Sequence, residues 1–121
     1  MASVKKLKRQ WRDYRTVGGQ RPVHKFIAAL PEEDAVAVAA AMKDVRLEGL
    51  AAARHLSGDI YEVRAPAEHA TYRVLFAAEG RWSHVLLALE VFSKKSQETP
   101  RRLIDLADAR LRDWRRRDQH G

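Results

Sequence analysis

Apolar positions follow two rhythms along this chain. Between residues 22 and 49 they recur at helical spacing, and from 56 to 91 they alternate or run together as strands do. Val23, Phe26, Ile27 and Leu30 fall at i, i+3, i+4 and i+7, which predicts a short helix opened by Pro22 and stopped by Pro31. A second helix follows, with Glu32, Glu33 and Asp34 complementing the positive end of its dipole. Val38, Met42 and Val45 form its buried stripe, the alanines at 39–41 allow close packing, and Gly49 ends it. Before this helix pair, Trp11 to Val17 reads as a first strand broken by Gly18-Gly19. After it come three strand-like segments: Leu56 to Arg64, Tyr72 to Phe76, and Val85 to Val91. A loop at Ala65–His69 and a turn at Glu79-Gly80-Arg81 separate them. A last helix is capped by Thr99, with Pro100 in its first turn. Leu103, Ala107, Leu111 and Trp114 give it a face for burial, and Asp108–Arg112 and Asp113–Arg117 are favourable i,i+4 pairs. Helices and strands are segregated, which predicts an α+β fold in the order β-α-α-β-β-β-α.

Alternation within the strands sorts side chains by face. Tyr61, Val63, Tyr72, Val74, Phe76, Val85, Leu87, Leu89 and Val91 are expected on one buried face. Glu62, Arg64, Thr71, Arg73, His84 and Glu90 then share the other, with Lys94 and Lys95 at its exit. That face gathers cations and two carboxylates within reach of one another, a surface suited to a phosphodiester.

Composition narrows the setting. At 121 residues the chain is expected to be one domain, 1–121, with flexible ends at 1–10 and 118–121. There is no cysteine, so disulfides, thiol nucleophiles and thiolate metal sites are excluded. A formal net charge of +7 favours a polyanionic partner. The basic ends (Lys5, Lys6, Lys8 and Arg9; Arg115, Arg116 and Arg117) read first as solvated surface. No apolar segment follows the basic start, and the longest apolar run, Ala35 to Met42, is too short to span a bilayer, so a cytoplasmic protein is expected.

Three blocks carry a family resemblance: Leu-x-Gly-x-Ile-Tyr-Glu-Val-Arg (Leu56 to Arg64), Tyr-Arg-Val-Leu-Phe (Tyr72 to Phe76), and Phe-x-Lys-Lys-x-Gln-x-Thr-Pro (Phe92 to Pro100). Their order, spacing and closing Arg-rich helix resemble the RelE/ParE superfamily of toxin–antitoxin toxins, in its HigB-like and phage-derived host-inhibition branch. The resemblance covers 56–114 and extends loosely to Trp11. It implies a RelE-like domain: a twisted antiparallel sheet packed by an N-terminal helix hairpin and a C-terminal helix. It implies a toxin that cuts mRNA without a metal or other cofactor, in the ribosomal A site, leaving a 2′,3′-cyclic phosphate and a 5′-hydroxyl. It further implies a cognate helix-turn-helix antitoxin, DNA contact only through the antitoxin complex, and no membrane partner. Two rivals remain: a ParE-like gyrase inhibitor without nuclease chemistry, and an inactive relative that binds only its antitoxin.

For such cleavage the 2′-hydroxyl loses a proton, the phosphorane needs positive charge, and the 5′-oxygen gains a proton. Tyr72-Arg73-Val74 matches the family strand whose arginine stabilises the transition state, so Arg73 is either a phosphate clamp or a salt-bridge partner of Glu62 or Glu90. Arg64 keeps the positive charge of its strand, whereas Glu62 stands where some relatives have a cation. Glu62 or Glu90 acts as base or orients an arginine. Lys94, Lys95, Arg101 and Arg102 are the expected substrate-binding cations. His69 and His84 read as surface and structure, and no metal-ligand spacing is present.

Overall fold

The computed structural model describes residues 8–93 and 98–118. Strand β1 (Gln10–Asp13) leads into helices α1 (Pro22–Ala28) and α2 (Glu32–Glu48), then a 3-10 turn at Gly49–Ala52. Strands β2 (Arg54–Ser57), β3 (Ile60–Pro66), β4 (Thr71–Glu79) and β5 (Val85–Ser93) precede helix α3 (Arg101–Asp118). The α+β class and the order of elements are those expected, with the segment 54–66 folded as a hairpin of two strands. Gly58, at φ +53°, makes that tight turn possible. The five strands run β1-β5-β4-β3-β2, antiparallel except that β1 lies parallel to β5. The sheet is therefore mixed.

The first strand is shorter than its sequence suggested. It stops at Asp13 because residues 16–20 close a turn, with Thr16 N donating to Gln20 O and Gly19 N to Thr16 O. Val17 is left 83% exposed. Arg9 is already built into the fold: its guanidinium donates to the Arg46 and Leu47 carbonyls at the end of α2, at 3.3 and 3.4 Å. There it satisfies carbonyls that a helix end leaves open. Residues 1–7, with Lys5 and Lys6, lie outside the described residues, as do 119–121.

Helices cover both faces of the sheet. Under α1 and α2 lie Val63, Ala65, Tyr72, Val74, Phe76, Leu86, Ala88 and Val91, packed with Val23, Val38 and Val45. Under α3 lie Ile60, Leu75, Ala77, Leu87 and Leu89, packed with Leu103, Ala107 and Leu111. This corrects one expectation. Val91 shares the α1/α2 face with Val74, but Leu87 and Leu89 are on the opposite face, and alternation takes Val85 there too. A β-bulge is the cause. Leu75 pairs with Glu90 and Phe76 with Ala88, so Leu89 is inserted and the parity of β5 flips. All three residues are buried nonetheless, Leu87 and Leu89 under α3, which covers the face that was expected to be polar.

Asp34 also departs from expectation. It is fully buried, accepting bonds from the Tyr72 hydroxyl at 2.6 Å and from the His69 backbone N–H at 3.3 Å, with the His69 imidazole Nδ1 at 3.0 Å. His69, expected as plain surface, thus ties the β3–β4 loop to the start of α2. Burial alone would raise the Asp34 carboxyl; the Tyr72 and His69 bonds outweigh it and hold it below the usual carboxylate value. The same bond to Asp34 raises His69 above its usual value, with Glu33 and Glu68 adding attraction. A histidine raised on folding adds stability below its unfolded pKa and loses it as pH rises through the folded one. The melting temperature of wild type minus that of His69→Gln should therefore be larger at pH 5.5 than at pH 8.5. Thermal melts of both proteins at the two values check this, and an equal gap would refute it.

The basic C-terminal end is internally paired rather than loosely solvated. Arg115 holds Glu79 at 2.7 Å and Asp59 at 2.9 Å, while Arg116 and Arg117 hold Asp113, each at 2.7 Å. Asp113 in turn accepts the Tyr14 hydroxyl at 2.5 Å, which ties α3 to the chain just after β1.

Candidate functional site

Of the sequence-predicted cluster, Glu62, Arg64 and Arg73 come together on the α3 face, with Glu62 and Arg73 buried there and Arg64 partly exposed. The hairpin register places Arg54 opposite Glu62, and the next ladder places Arg64 opposite Arg73. Two guanidiniums directly across a ladder repel. Glu62 answers this: its carboxylate sits 3.4 Å from Arg64 Nε, 3.6 Å from Arg54 and 3.6 Å from Arg73. A carboxylate buried without such partners would be very costly, and Glu62 is 1% exposed. Thr99, in the approach to α3, completes the group: its hydroxyl donates to Glu62 Oε2 and accepts from Arg73 Nη1 at 3.2 Å.

Burial divides the three arginines. Arg73 is 3% exposed, whereas the Arg64 and Arg54 side chains are 42% and 52% exposed. Of the two readings of Arg73, the salt bridge across the sheet is present, with Glu62 as the partner rather than Glu90. Within the cluster, the solvent-exposed cationic side chains among the described residues are those of Arg64 and Arg54.

Glu90 belongs to a separate group. It lies across Leu75 from Glu62 in the same row of the sheet, about 10 Å away at the usual strand spacing. Its partner is Arg110 of α3, at 3.6 Å, which also donates to the Leu89 carbonyl at 2.7 Å and lies over the Tyr14 ring. Arg101 and Arg102 are both exposed in the first turn of α3, where Arg101 turns to Asp105 at 3.1 Å. Between that turn and the β2–β3 hairpin is a cleft of about 260 Å³, lined by Ser57, Gly58, Ile60, Arg101, Ile104, Asp105 and Asp108. His84 sits at the far end of the sheet, packed on Gly80 in the β4–β5 turn, so closely that a Cβ there would meet the imidazole at 2.8 Å. Lys94 and Lys95 lie outside the described residues.

Two members of the site, Arg54 and Thr99, were not singled out from sequence, nor was Arg110, the partner of Glu90. Arg54 needed the Ser57-Gly58-Asp59 turn to be read as a hairpin, which would have set it opposite Glu62. Thr99 had been assigned to a helix cap, and Arg110 carried no signal beyond its place in an arginine-rich helix. Among the described residues, no group of three or more His, Cys, Asp and Glu gathers as a metal site would require. No helix among them is long and apolar enough to cross a membrane.

Residues 25–112 match the family described as Phage derived protein Gp49-like. The chain belongs to this Gp49-like family. The matched span contains all three motif blocks and most of α3, so the Glu62 cluster lies wholly within it. Two curated relatives are also similar, each named Probable endoribonuclease HigB1, from Mycobacterium tuberculosis strains CDC 1551 / Oshkosh and ATCC 25618 / H37Rv. Each is 33% identical over 109 residues, covering 88% of this chain and 85% of the relative. Family match and relatives agree with the HigB-like, phage-derived resemblance of the motif blocks.

Proposed function

We propose that this Gp49-like protein is the toxin of a type II toxin–antitoxin pair and acts as an mRNA endoribonuclease on the ribosome, stopping translation in the cytoplasm. The observation that carries this is the Glu62-centred cluster, in which three guanidiniums converge on one buried carboxylate. The relatives named as endoribonucleases support the reaction class. In this scheme Arg54 and Arg64 hold the scissile phosphate from the solvent side. Arg73 supplies positive charge from behind them, in a low-dielectric setting where a fixed charge acts strongly. Glu62 orients the arginines, because its oxygens are already occupied by their N–H groups and by Thr99. The 2′-oxygen attacks phosphorus as its proton is withdrawn, the bond to the 5′-oxygen breaks, and that oxygen takes up a proton. Products are a 2′,3′-cyclic phosphate and a 5′-hydroxyl. Arg101 and Arg102, beside the cleft, with Lys94 and Lys95, grip flanking phosphates.

The cognate antitoxin, a helix-turn-helix protein, covers this cationic end and brings the complex to DNA. Purified toxin incubated with mRNA, with and without ribosomes, tests the scheme: cleavage is expected, with ribosomes accelerating it. Absence of cleavage together with gyrase-dependent DNA breaks would instead place the protein with ParE-like inhibitors.

RNA binding should weaken as salt rises, since each cation–phosphate contact releases counterions. For three contacts to single-stranded RNA, the slope of log affinity against log salt should be about −2. Fluorescence anisotropy with a 2′-deoxy oligonucleotide measures it, and a flat response would exclude a phosphate-dominated interface.

A further inference from the structure

We propose that Thr99 is a positioning residue of this site: its hydroxyl, placed between Glu62 and Arg73 by the start of α3, fixes the Arg73 guanidinium. As a statement about catalysis this rests on the RNA-cleaving scheme above; as a statement about geometry it does not.

Arg73 Nη1 and Glu62 Oε2 are 3.6 Å apart. A charge-assisted hydrogen bond between such groups closes to about 2.7–2.9 Å, so the pair is held short of full contact. Thr99 Oγ1 bridges the pair from one side, accepting from Arg73 at 3.2 Å and donating to the same Glu62 oxygen. Arg64 and Arg54 take the other oxygen, Oε1. The hydroxyl therefore ties the Arg73 guanidinium to the Oε2 side of the carboxylate, away from the cations at Oε1. Its own place is set by α3, whose first turn closes on the next residue: Leu103 N and Ile104 N both donate to Pro100 O, at 3.0 and 3.3 Å. Leu103, Ala107 and Leu111 then anchor the helix to the sheet. Thr99 transmits the seating of α3 to the one buried cation of the cluster.

The test uses the full chain with Thr99→Ser, which keeps the hydroxyl, and Thr99→Val, which keeps the shape. Side-chain NMR of 15N-labelled arginine reads the geometry. Resolved Nη protons of Arg73, a mark of hindered rotation, are expected in wild type and Thr99→Ser and should average out in Thr99→Val. Single-turnover cleavage reads the consequence. Loss of a hydrogen bond to a charged group predicts a fall of about ten-fold or more for Thr99→Val, with affinity for a 2′-deoxy analogue unchanged and Thr99→Ser near wild type. Arg73 signals unaltered in a folded Thr99→Val protein overturn the proposal. So do cleavage losses in both variants that merely track the folded fraction measured by circular dichroism. Should wild type cleave no RNA, the nuclease scheme falls, and the NMR comparison alone decides the role of Thr99.

Discussion

Arg73→Ala should lower RNA cleavage by about 100- to 1000-fold, the usual loss when one preorganised donor to a developing anion is removed. Two effects act together. The positive charge placed behind the scissile phosphate disappears, and Glu62, still bonded by Thr99, draws Arg54 and Arg64 inward, away from substrate. Arg64→Ala removes a solvent-facing contact and should cost about ten- to a hundred-fold, in line with a hydrogen bond to a charged group. Arg73→Lys should recover part of the loss, since an ammonium restores charge but not the planar fork. Single-turnover rates on a defined RNA, with circular dichroism to confirm folding, provide the measurement. A folded Arg73→Ala protein cleaving at the wild-type rate would remove Arg73 from the site.

The largest stability effect is expected at Phe76. Its side chain is fully buried between the sheet and the helix pair, edge-on to Trp11 with centroids 5.1 Å apart and tilted against Tyr61 at 6.1 Å. Truncation to alanine removes these contacts and leaves a cavity the close-packed surroundings cannot refill, for a loss of about 3–5 kcal/mol. In a domain of this size that lowers the melting temperature by on the order of 10–20 °C. Phe26, half-buried and edge-on to Tyr72, should cost less when truncated. Urea titration of the two variants checks both size and order. Equal, near-neutral midpoints would mean the core is assigned wrongly.

The helix pair was legible because each helix buries one stripe, so 3.6-residue periodicity survives in Val23, Phe26, Ile27 and in Val38, Met42, Val45. Strand β5 was legible as a strand but not in its facing. Covered on both sides, Val85 to Leu89 is apolar throughout and has no alternation to read. Parity taken from Val91 then ran backwards through a bulge that no residue type announces. Glu62, Arg64 and Arg73 were legible as companions, because an odd-even count on two paired strands needs only the pairing. Their burial was not, since it depends on where α3 comes to rest. Asp34 shows the same limit. Three acidic residues open α2, and nothing local distinguishes the one that turns inward to meet Tyr72 and His69.

The parallel seam between β1 and β5 joins the first of the described strands to the last. During synthesis β1 leaves the ribosome long before its partner β5 exists, so it waits unpaired while the helices and the antiparallel ladders assemble. Until it docks, the outer edge of β5 offers a row of open backbone donors and acceptors to any passing strand. Contacts this distant in sequence form slowly because the whole intervening loop must close first. The Arg9 bonds to the end of α2 and the Tyr14 bond to α3 then latch the late arrival to elements already in place. A chain shortened past Asp13 would keep every residue of the Glu62 cluster, yet would carry a permanently open edge and should self-associate strand to strand.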